Sequence, residues 1–136
     1  MKRLLLVLLL ASCGGDEANS PELLAAEPTY ERDIRPLYER YCVECHSREG
    51  AKAGGVELDR YESAFGTRVK AACTAVRPAL VERYEALLQP TPRSGGDDRG
   101  TCAEWEIFSM PTAVKDKLTP HEQVLLLRWI ETGAPR

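Results

Sequence analysis

The sequence predicts an all-α fold. Apolar residues recur at helical spacing in three segments, around residues 30–42, 67–88 and 119–133. The last segment also carries a strong start signal and a glycine stop. No segment alternates apolar and polar residues as a half-buried strand does, and no internal repeat occurs. One small helical domain is therefore expected, since 136 residues are too few for two ordinary domains and a leader.

The first predicted helix covers about residues 33–42. Asp33 is the expected N-cap, and Pro36 is compatible with the helix only if it lies in the first turn. The apolar stripe of this helix consists of Tyr30, Ile34, Leu37, Tyr38 and Tyr41.

A glycine-rich loop is expected over residues 47–59. Asp59 is then expected to cap a short helix over residues 61–65, which Gly66 ends. Two apolar residues are expected to anchor the loop to the core, Val56 and Leu58.

A longer helical pattern begins at Thr67 and continues to Leu88, but Pro78 interrupts it. Proline inside a helix removes a hydrogen-bond donor and clashes with the preceding turn. Either one helix kinks at Pro78, or one helix ends near Val76 and another begins at Pro78. A polar loop rich in turn residues follows over residues 89–101.

The last predicted helix begins at Pro120. Glu122 stands three residues after Thr119, which is the spacing of a capping box, and proline is favoured at the first helical position. Gly133 is a natural C-terminal stop. The helical stripe is expected to consist of Val124, Leu127, Ile130 and Glu131, and Leu126 and Trp129 widen it.

Residues 1–12 are expected to be a signal peptide and not part of the fold. Lys2 and Arg3 form a basic start, and the apolar run over residues 4–10 is too short to span a bilayer. The next residues, LASC, end at Cys13 and resemble the lipobox of bacterial lipoproteins. That resemblance implies cleavage before Cys13 and lipid attachment to it. An ordinary signal peptide cut near Ser12 is the alternative.

Both cleavage patterns take the protein out of the cytoplasm. Residues 13–28 are small, acidic and proline-containing, which predicts a flexible tether in front of a domain over residues 29–136. Gly14 stands where aspartate would retain a lipoprotein in the inner membrane. By resemblance to the sorting rules of enteric bacteria, this favours a lipid anchor in the outer membrane, facing the periplasm.

Residues 42–46 read Cys-Val-Glu-Cys-His, a C-x-x-C-H sequence. This spacing is the attachment pattern of haem c. The thiols of Cys42 and Cys45 are two residues apart and can form thioethers with the two vinyl groups of one porphyrin. His46 is then held under the iron as its proximal ligand. We therefore expect one covalent haem c.

Three other chemistries use similar residues. A thioredoxin-like dithiol would be set in a βαβ unit, which this pattern does not predict. A zinc site needs two more ligands at compact spacing, and the only other histidine is His121. A plain structural disulfide leaves His46 unexplained. With export, haem c is the favoured interpretation.

Met110 is the expected second axial ligand of the iron. A methionine thioether is a common partner of histidine in cytochromes c, and Met110 is the only methionine besides the initiator. Pro111 forces Met110 out of the helical region, which places it in a loop before the last helix. Three alternatives stay open: Met110 as core filler, His121 as the ligand, or no sixth protein ligand.

Two of the five cysteines, Cys73 and Cys102, are left after lipidation and haem attachment. Unpaired thiols are a liability where thiols oxidise, so the count favours a disulfide between them. Such a bridge would contribute about 3 to 4 kcal/mol in the chain-entropy account. We hypothesise that it holds the loop of Met110 in place. Two independent buried thiols are the alternative.

The charge balance argues against nucleic acid as a partner. The formal net charge is −3, and the loss of Lys2 and Arg3 with the signal peptide changes it to −5. An acidic chain lacks the basic surface that phosphates require. Redox proteins with a basic face are better partners, because complementary charges steer their encounter.

Four stretches together resemble the small class I cytochrome c domains of planctomycetes and myxobacteria. They are YERDIRPLYERYCVECHS, GGVELDRYESAF, SMP and LTPHEQVLLLRWIETGAP, and the match spans about residues 29–135. The resemblance implies an all-α domain around one covalent haem, with crossed N- and C-terminal helices. It also implies that Cys42 and Cys45 bind haem, that His46 is the proximal ligand and that Met110 is the distal one.

This chain departs from the pattern of that group at two places. Thr112 follows Pro111 where the group often has a second proline, and the segment over residues 69–102 is longer than expected.

The expected function is single-electron transfer between redox partners and not catalysis. The alternatives are a haem-based sensor or small-ligand enzyme, which needs an open sixth position, and an accessory haem subunit of a larger membrane redox complex.

Overall fold

The computed structural model describes residues 20–50, 55–89, 102–104, 107–112 and 116–136. Within these ranges the chain is helical and has no strand, which confirms the all-α prediction. The elements are α1 (Pro21–Leu24), a π-helical turn (Tyr30–Ile34) that continues into α2 (Arg35–Tyr41), α3 (Tyr61–Gly66), α4 (Arg68–Ala75), α5 (Pro78–Arg83), a 3-10 turn (Cys102–Glu104) and α6 (Pro120–Glu131).

The predicted signal peptide and Cys13 lie outside the described residues, as do residues 13–19 of the predicted tether and nearly all of the predicted loop at 89–101. None of the described helices has the length and apolarity needed to cross a membrane. Beyond residue 19, the segment expected to be a tether packs on the domain. Leu23 of α1 is buried against Val124 of α6, and the Arg128 guanidinium donates to the Ala26 carbonyl at 3.1 Å.

The first helix begins earlier than the sequence predicted, and Asp33 is not its N-cap. The cap is Thr29, whose side chain accepts a backbone N–H of the first turn, while Asp33 Oδ2 accepts the Thr29 N–H at 2.7 Å. The Arg35 N–H then bonds to the Tyr30 carbonyl five residues back. This widened turn lies directly before Pro36, whose ring would clash with the carbonyl four residues earlier in a regular helix.

The prediction that Asp59 caps α3 was also wrong. The N-cap residue is Arg60, whose side chain makes no capping hydrogen bond. The Asp59 carboxylate instead accepts the backbone N–H of Arg48 at 3.4 Å, across the loop that precedes it. The two predicted loop anchors, Val56 and Leu58, are both buried, as expected.

Pro78 separates two helices, as the second alternative for this region proposed. α4 ends at Ala75, Val76 and Arg77 have extended backbones, and α5 begins at Pro78. The residue before a proline is sterically kept out of the α region, which explains why the chain straightens there.

The start of α6 is confirmed in full. The Thr119 N–H donates to Glu122 Oε2 at 2.8 Å, and the Glu122 N–H donates to Thr119 Oγ1 at 3.2 Å, so the capping box closes in both directions. At the other end, Gly133 adopts a φ of 93°, the left-handed conformation of a helix stop.

The N- and C-terminal helical segments meet in the core. Tyr30 and Trp129 are almost fully buried, with their ring centroids 6.1 Å apart. The Tyr30 N–H and the Trp129 indole N–H both donate to the Pro135 carbonyl, at 2.9 and 2.8 Å. One carbonyl after α6 therefore links Tyr30, at the start of the π-helical turn, to the last turn of α6.

Candidate functional site

The C-x-x-C-H sequence extends the end of α2 by one turn. The Cys42 N–H donates to the Tyr38 carbonyl at 2.8 Å, and the His46 N–H donates to the Cys42 carbonyl at 2.9 Å. Residues four apart in a helical turn lie on the same face, one above the other. The turn therefore directs Cys42 and His46 to one side of the chain.

That side faces a cavity with about 750 Å³ of unfilled space, part of which is open to solvent. Cys42 and His46 both line it. The remaining walls are mainly apolar and come from α2, the loop before α3, α4 and the segment before α6, with Leu37, Val56, Leu58, Ala71, Ala75 and Leu118.

Met110 lines the same cavity. It belongs to the Met110 loop, residues 108–111, which lies between the 3-10 turn and α6. The fold thus brings Cys42, His46 and Met110 around one space, although Met110 is far from the other two in sequence. Three of the four residues expected to hold a haem therefore share one cavity.

Cys45 is the residue that does not line the cavity. Its side chain is exposed, while Cys42 is half-buried. The Cys45 N–H donates to the Cys42 carbonyl at 3.1 Å, so Cys45 lies within the same tight turn. A bond from Cys45 to a group in the cavity would have to form at its mouth.

His46 is tied to the core through its own backbone. Its carbonyl accepts the Leu58 N–H at 2.7 Å, and the Leu58 carbonyl accepts the Tyr30 hydroxyl at 3.0 Å. Burial of the Tyr30 side chain raises the pKa of its hydroxyl to about 12. The sequence reasoning saw Tyr30 only as part of an apolar stripe and missed this link, because it joins residues 28 positions apart.

The Met110 loop is attached to the C-terminal end of α4. The Met110 N–H donates to the Thr74 carbonyl at 2.9 Å, and the Phe108 N–H donates to the Cys73 carbonyl at 3.4 Å. Cys73 and Cys102 lie at disulfide distance, with Cα atoms 5.2 Å apart, as the cysteine count predicted. The bridge and the loop therefore share one anchor, the last turn of α4.

His121, the alternative axial ligand, is exposed in the first turn of α6 and does not line the cavity. Lys117 was not singled out by the sequence, yet its ammonium group donates to two carbonyls of the Met110 loop, those of Phe108 and Pro111. No sequence pattern predicts the contact of Lys117 with the Met110 loop, because a lysine near a loop is ordinarily interpreted as a solvent-exposed charge.

No protein-family model, curated protein or solved structure matches this chain. The resemblance to class I cytochrome c domains therefore stays a prediction from the four sequence stretches that carry it.

Proposed function

We propose that this protein is an exported c-type cytochrome that holds one haem in the cavity between α2, α4 and the Met110 loop and transfers single electrons. The observation that carries the proposal is the shared cavity of Cys42, His46 and Met110. A haem c site requires an attachment thiol, a histidine ligand and a second axial ligand. The fold brings Met110, far downstream in the sequence, to the cavity that Cys42 and His46 line.

The donor set of the cavity fits this cofactor. Cys42 and Cys45 would supply the two thioether bonds, His46 the proximal nitrogen and Met110 the distal sulfur. Among the described residues, no group of three or more His, Cys, Asp or Glu side chains gathers to bind a metal ion.

The chemistry supplied by a bound haem is the exchange of one electron between ferric and ferrous iron. His46 and Met110 would both hold the iron, so an external ligand would have to displace one of them. The mainly apolar walls would limit the access of water to the iron, although part of the cavity is open to solvent. The protein thereby favours electron transfer over ligand binding or catalysis.

The fold we propose is that of a class I cytochrome c domain, with crossed N- and C-terminal helices around the haem. Contact between the two helical segments supports it: the rings of Tyr30 and Trp129 meet in the core, and both residues donate to the Pro135 carbonyl. The sequence stretches given above are the second support.

Localisation and partners form a separate part of the proposal. The leader and Cys13 support a periplasm-facing lipid anchor, with the outer membrane favoured by Gly14, and the acidic balance supports redox partners with a basic face. In cells fed a labelled fatty acid, the full chain should carry label in the membrane fraction, and Cys13→Ser should carry none. Label on Cys13→Ser, or none on either protein, would contradict the anchor.

The test of the function is to export the full chain in a host with a haem c maturation system. Haem that stays on the protein after acid extraction, with a low-spin ferric spectrum and the weak red band of a methionine–iron bond, is the expected result. Met110→Ala should lose that band and bind carbon monoxide in the ferrous state. Absence of covalent haem would overturn the proposal, and carbon monoxide binding by the unchanged protein would favour a sensor or small-ligand enzyme.

A further inference from the structure

We propose that Lys117 is a positioning residue for Met110. Its ammonium group closes the Met110 loop by binding one carbonyl on each side of Met110, and so keeps the thioether at the cavity. The inference rests on the proposed function, because that function makes Met110 an axial ligand of the iron. The contact between Lys117 and the Met110 loop does not depend on a haem.

The geometry of the contact is that of a bridge. Lys117 Nζ donates to the Phe108 carbonyl at 2.9 Å and also to the Pro111 carbonyl. The same ammonium lies 5.0 Å from the centroid of the Phe108 ring. An ammonium group has three donors, and hydrogen bonds from a charged donor are about twice as strong as neutral ones. One half-buried lysine thus ties together the first and last residues of the loop.

The Met110 loop needs such a constraint because of its backbone conformation. Phe108 has a φ of 58°, in the left-handed region that side chains other than glycine rarely adopt. Conformations of this kind persist only where the surrounding structure determines them, and they gather at functional sites. A phenylalanine held there indicates that contacts from outside the loop fix its shape.

Those contacts come from two sides and use different groups of the loop. On one side, the N–H groups of Phe108 and Met110 bind the carbonyls of Cys73 and Thr74 in α4. On the other side, the carbonyls of Phe108 and Pro111 bind Lys117. The α4 contacts hold the loop to the domain, whereas Lys117 holds its two ends to each other.

Loss of the ammonium group removes the second set of contacts. The two carbonyls then have no cation between them, and Phe108 is free to relax to an ordinary φ. Met110 would leave the iron more often, since its loop is then held only by the hydrogen bonds to α4. An external ligand that competes for the sixth position therefore binds faster, and the Met110 N–H exchanges with solvent faster.

The experiment compares Lys117→Leu, Lys117→Arg and a charge-matched control in the exported full chain. The control is Arg35→Leu, which removes an exposed cation that pairs with Glu31 and Glu39 on the first helix. Two rates are measured: imidazole binding to the ferric protein, and hydrogen exchange of the Met110 amide after labelling with nitrogen-15 methionine. Met110 is the only methionine besides Met1, so the mature protein gives one signal.

We expect Lys117→Leu to raise both rates at least tenfold, with Lys117→Arg and Arg35→Leu close to the unchanged protein. If Lys117→Leu does not accumulate, Lys117→Gln replaces it with the same expectation, because it also lacks the charge. Unchanged rates in the neutral variant would overturn the role of Lys117 and leave the cytochrome proposal standing. A protein without covalent haem would overturn the cytochrome proposal, while the exchange of Met110 would still decide whether Lys117 closes the loop.

Discussion

The backbone N–H of Met110 donates to the carbonyl of Thr74 at 2.9 Å, directly after the half-cystine at position 73. The same end of α4 therefore receives the Met110 loop through two hydrogen bonds and the segment before it through the Cys73–Cys102 pair. Helix ends leave carbonyls without partners within the helix, so this turn is chemically suited to hold a loop. The relationship makes the position of Met110 depend on α4.

Replacing both Cys73 and Cys102 by alanine should lower the free energy of unfolding by about 2 to 4 kcal/mol. The bridge closes a loop between residues 29 positions apart, so its loss mainly increases the freedom of the unfolded chain. The red methionine–iron band should also weaken, because the loop loses part of its anchor. Chemical denaturation and the absorption spectrum measure the two effects. Equal stability in the double variant and the unchanged protein would contradict the bridge.

Tyr30→Phe should lower the free energy of unfolding by about 1 to 3 kcal/mol, because it leaves the buried Leu58 carbonyl without its donor. The pKa of Tyr30 is raised from 10.0 to about 12, so the folded state keeps this proton longer than the unfolded state. The corresponding stability is complete below about pH 10 and is lost as the pH rises towards 12.

Denaturation of the unchanged protein between neutral pH and pH 11 should show that loss, and Tyr30→Phe should show less of it. Tyr84→Phe, at the half-buried C-cap of α5, is the matched control. An identical alkaline profile for Tyr30→Phe and the unchanged protein would refute the assignment.

Glu122→Gln should lower the free energy of unfolding at neutral pH by about 0.3 to 1 kcal/mol, because it removes a negative charge from the first turn of α6. Burial opposes ionisation of Glu122, but hydrogen bonds from Thr119 and Tyr41 and the charge of Arg40 lower the pKa of its carboxyl below 4.5. The stability from this lowered pKa is present above about pH 4.5 and is lost as the pH falls through the folded value.

Unfolding measured from pH 7 down to pH 3 should therefore be steeper for the unchanged protein than for Glu122→Gln. Glu39→Gln, which removes an exposed carboxylate paired with Arg35, serves as the control. The prediction is wrong if the free energy of unfolding falls equally with pH in Glu122→Gln and in the unchanged protein.

His121→Ala should leave the ferric spectrum and the free energy of unfolding unchanged, within about 0.5 kcal/mol, because its side chain is exposed and away from the cavity. His46→Ala should lose the low-spin spectrum, since it removes the proximal nitrogen. Optical spectra of the two variants side by side distinguish these roles. A change of the ferric spectrum in His121→Ala would contradict Met110 as the second axial ligand and favour His121.

Several features of this protein follow from the sequence alone because they depend on neighbouring residues. The capping box of α6 closes between Thr119 and Glu122, and Gly133 stops the same helix. At Pro78 the sequence predicted an interruption but left open whether it was a kink or a break, and the structure shows two helices. The turn from Cys42 to His46 is likewise local, so its two side chains share a face wherever the turn is placed. These elements are set by sterics and hydrogen bonds over a few positions.

Other features were decided only when the chain packed. The helical segment that leads into α2 is capped by Thr29 and not by Asp33, since a widened turn before Pro36 and a buried Tyr30 extend it backwards. Met110 and His46 line one cavity only because the carbonyls at the end of α4 hold the Met110 loop there. Tyr30 contacts Leu58, and Lys117 contacts the Met110 loop. No sequence pattern predicts either pair, because the partners are not linked by a helical or turn spacing. Sequence patterns report on the local chain, whereas long-range contacts depend on how the core packs.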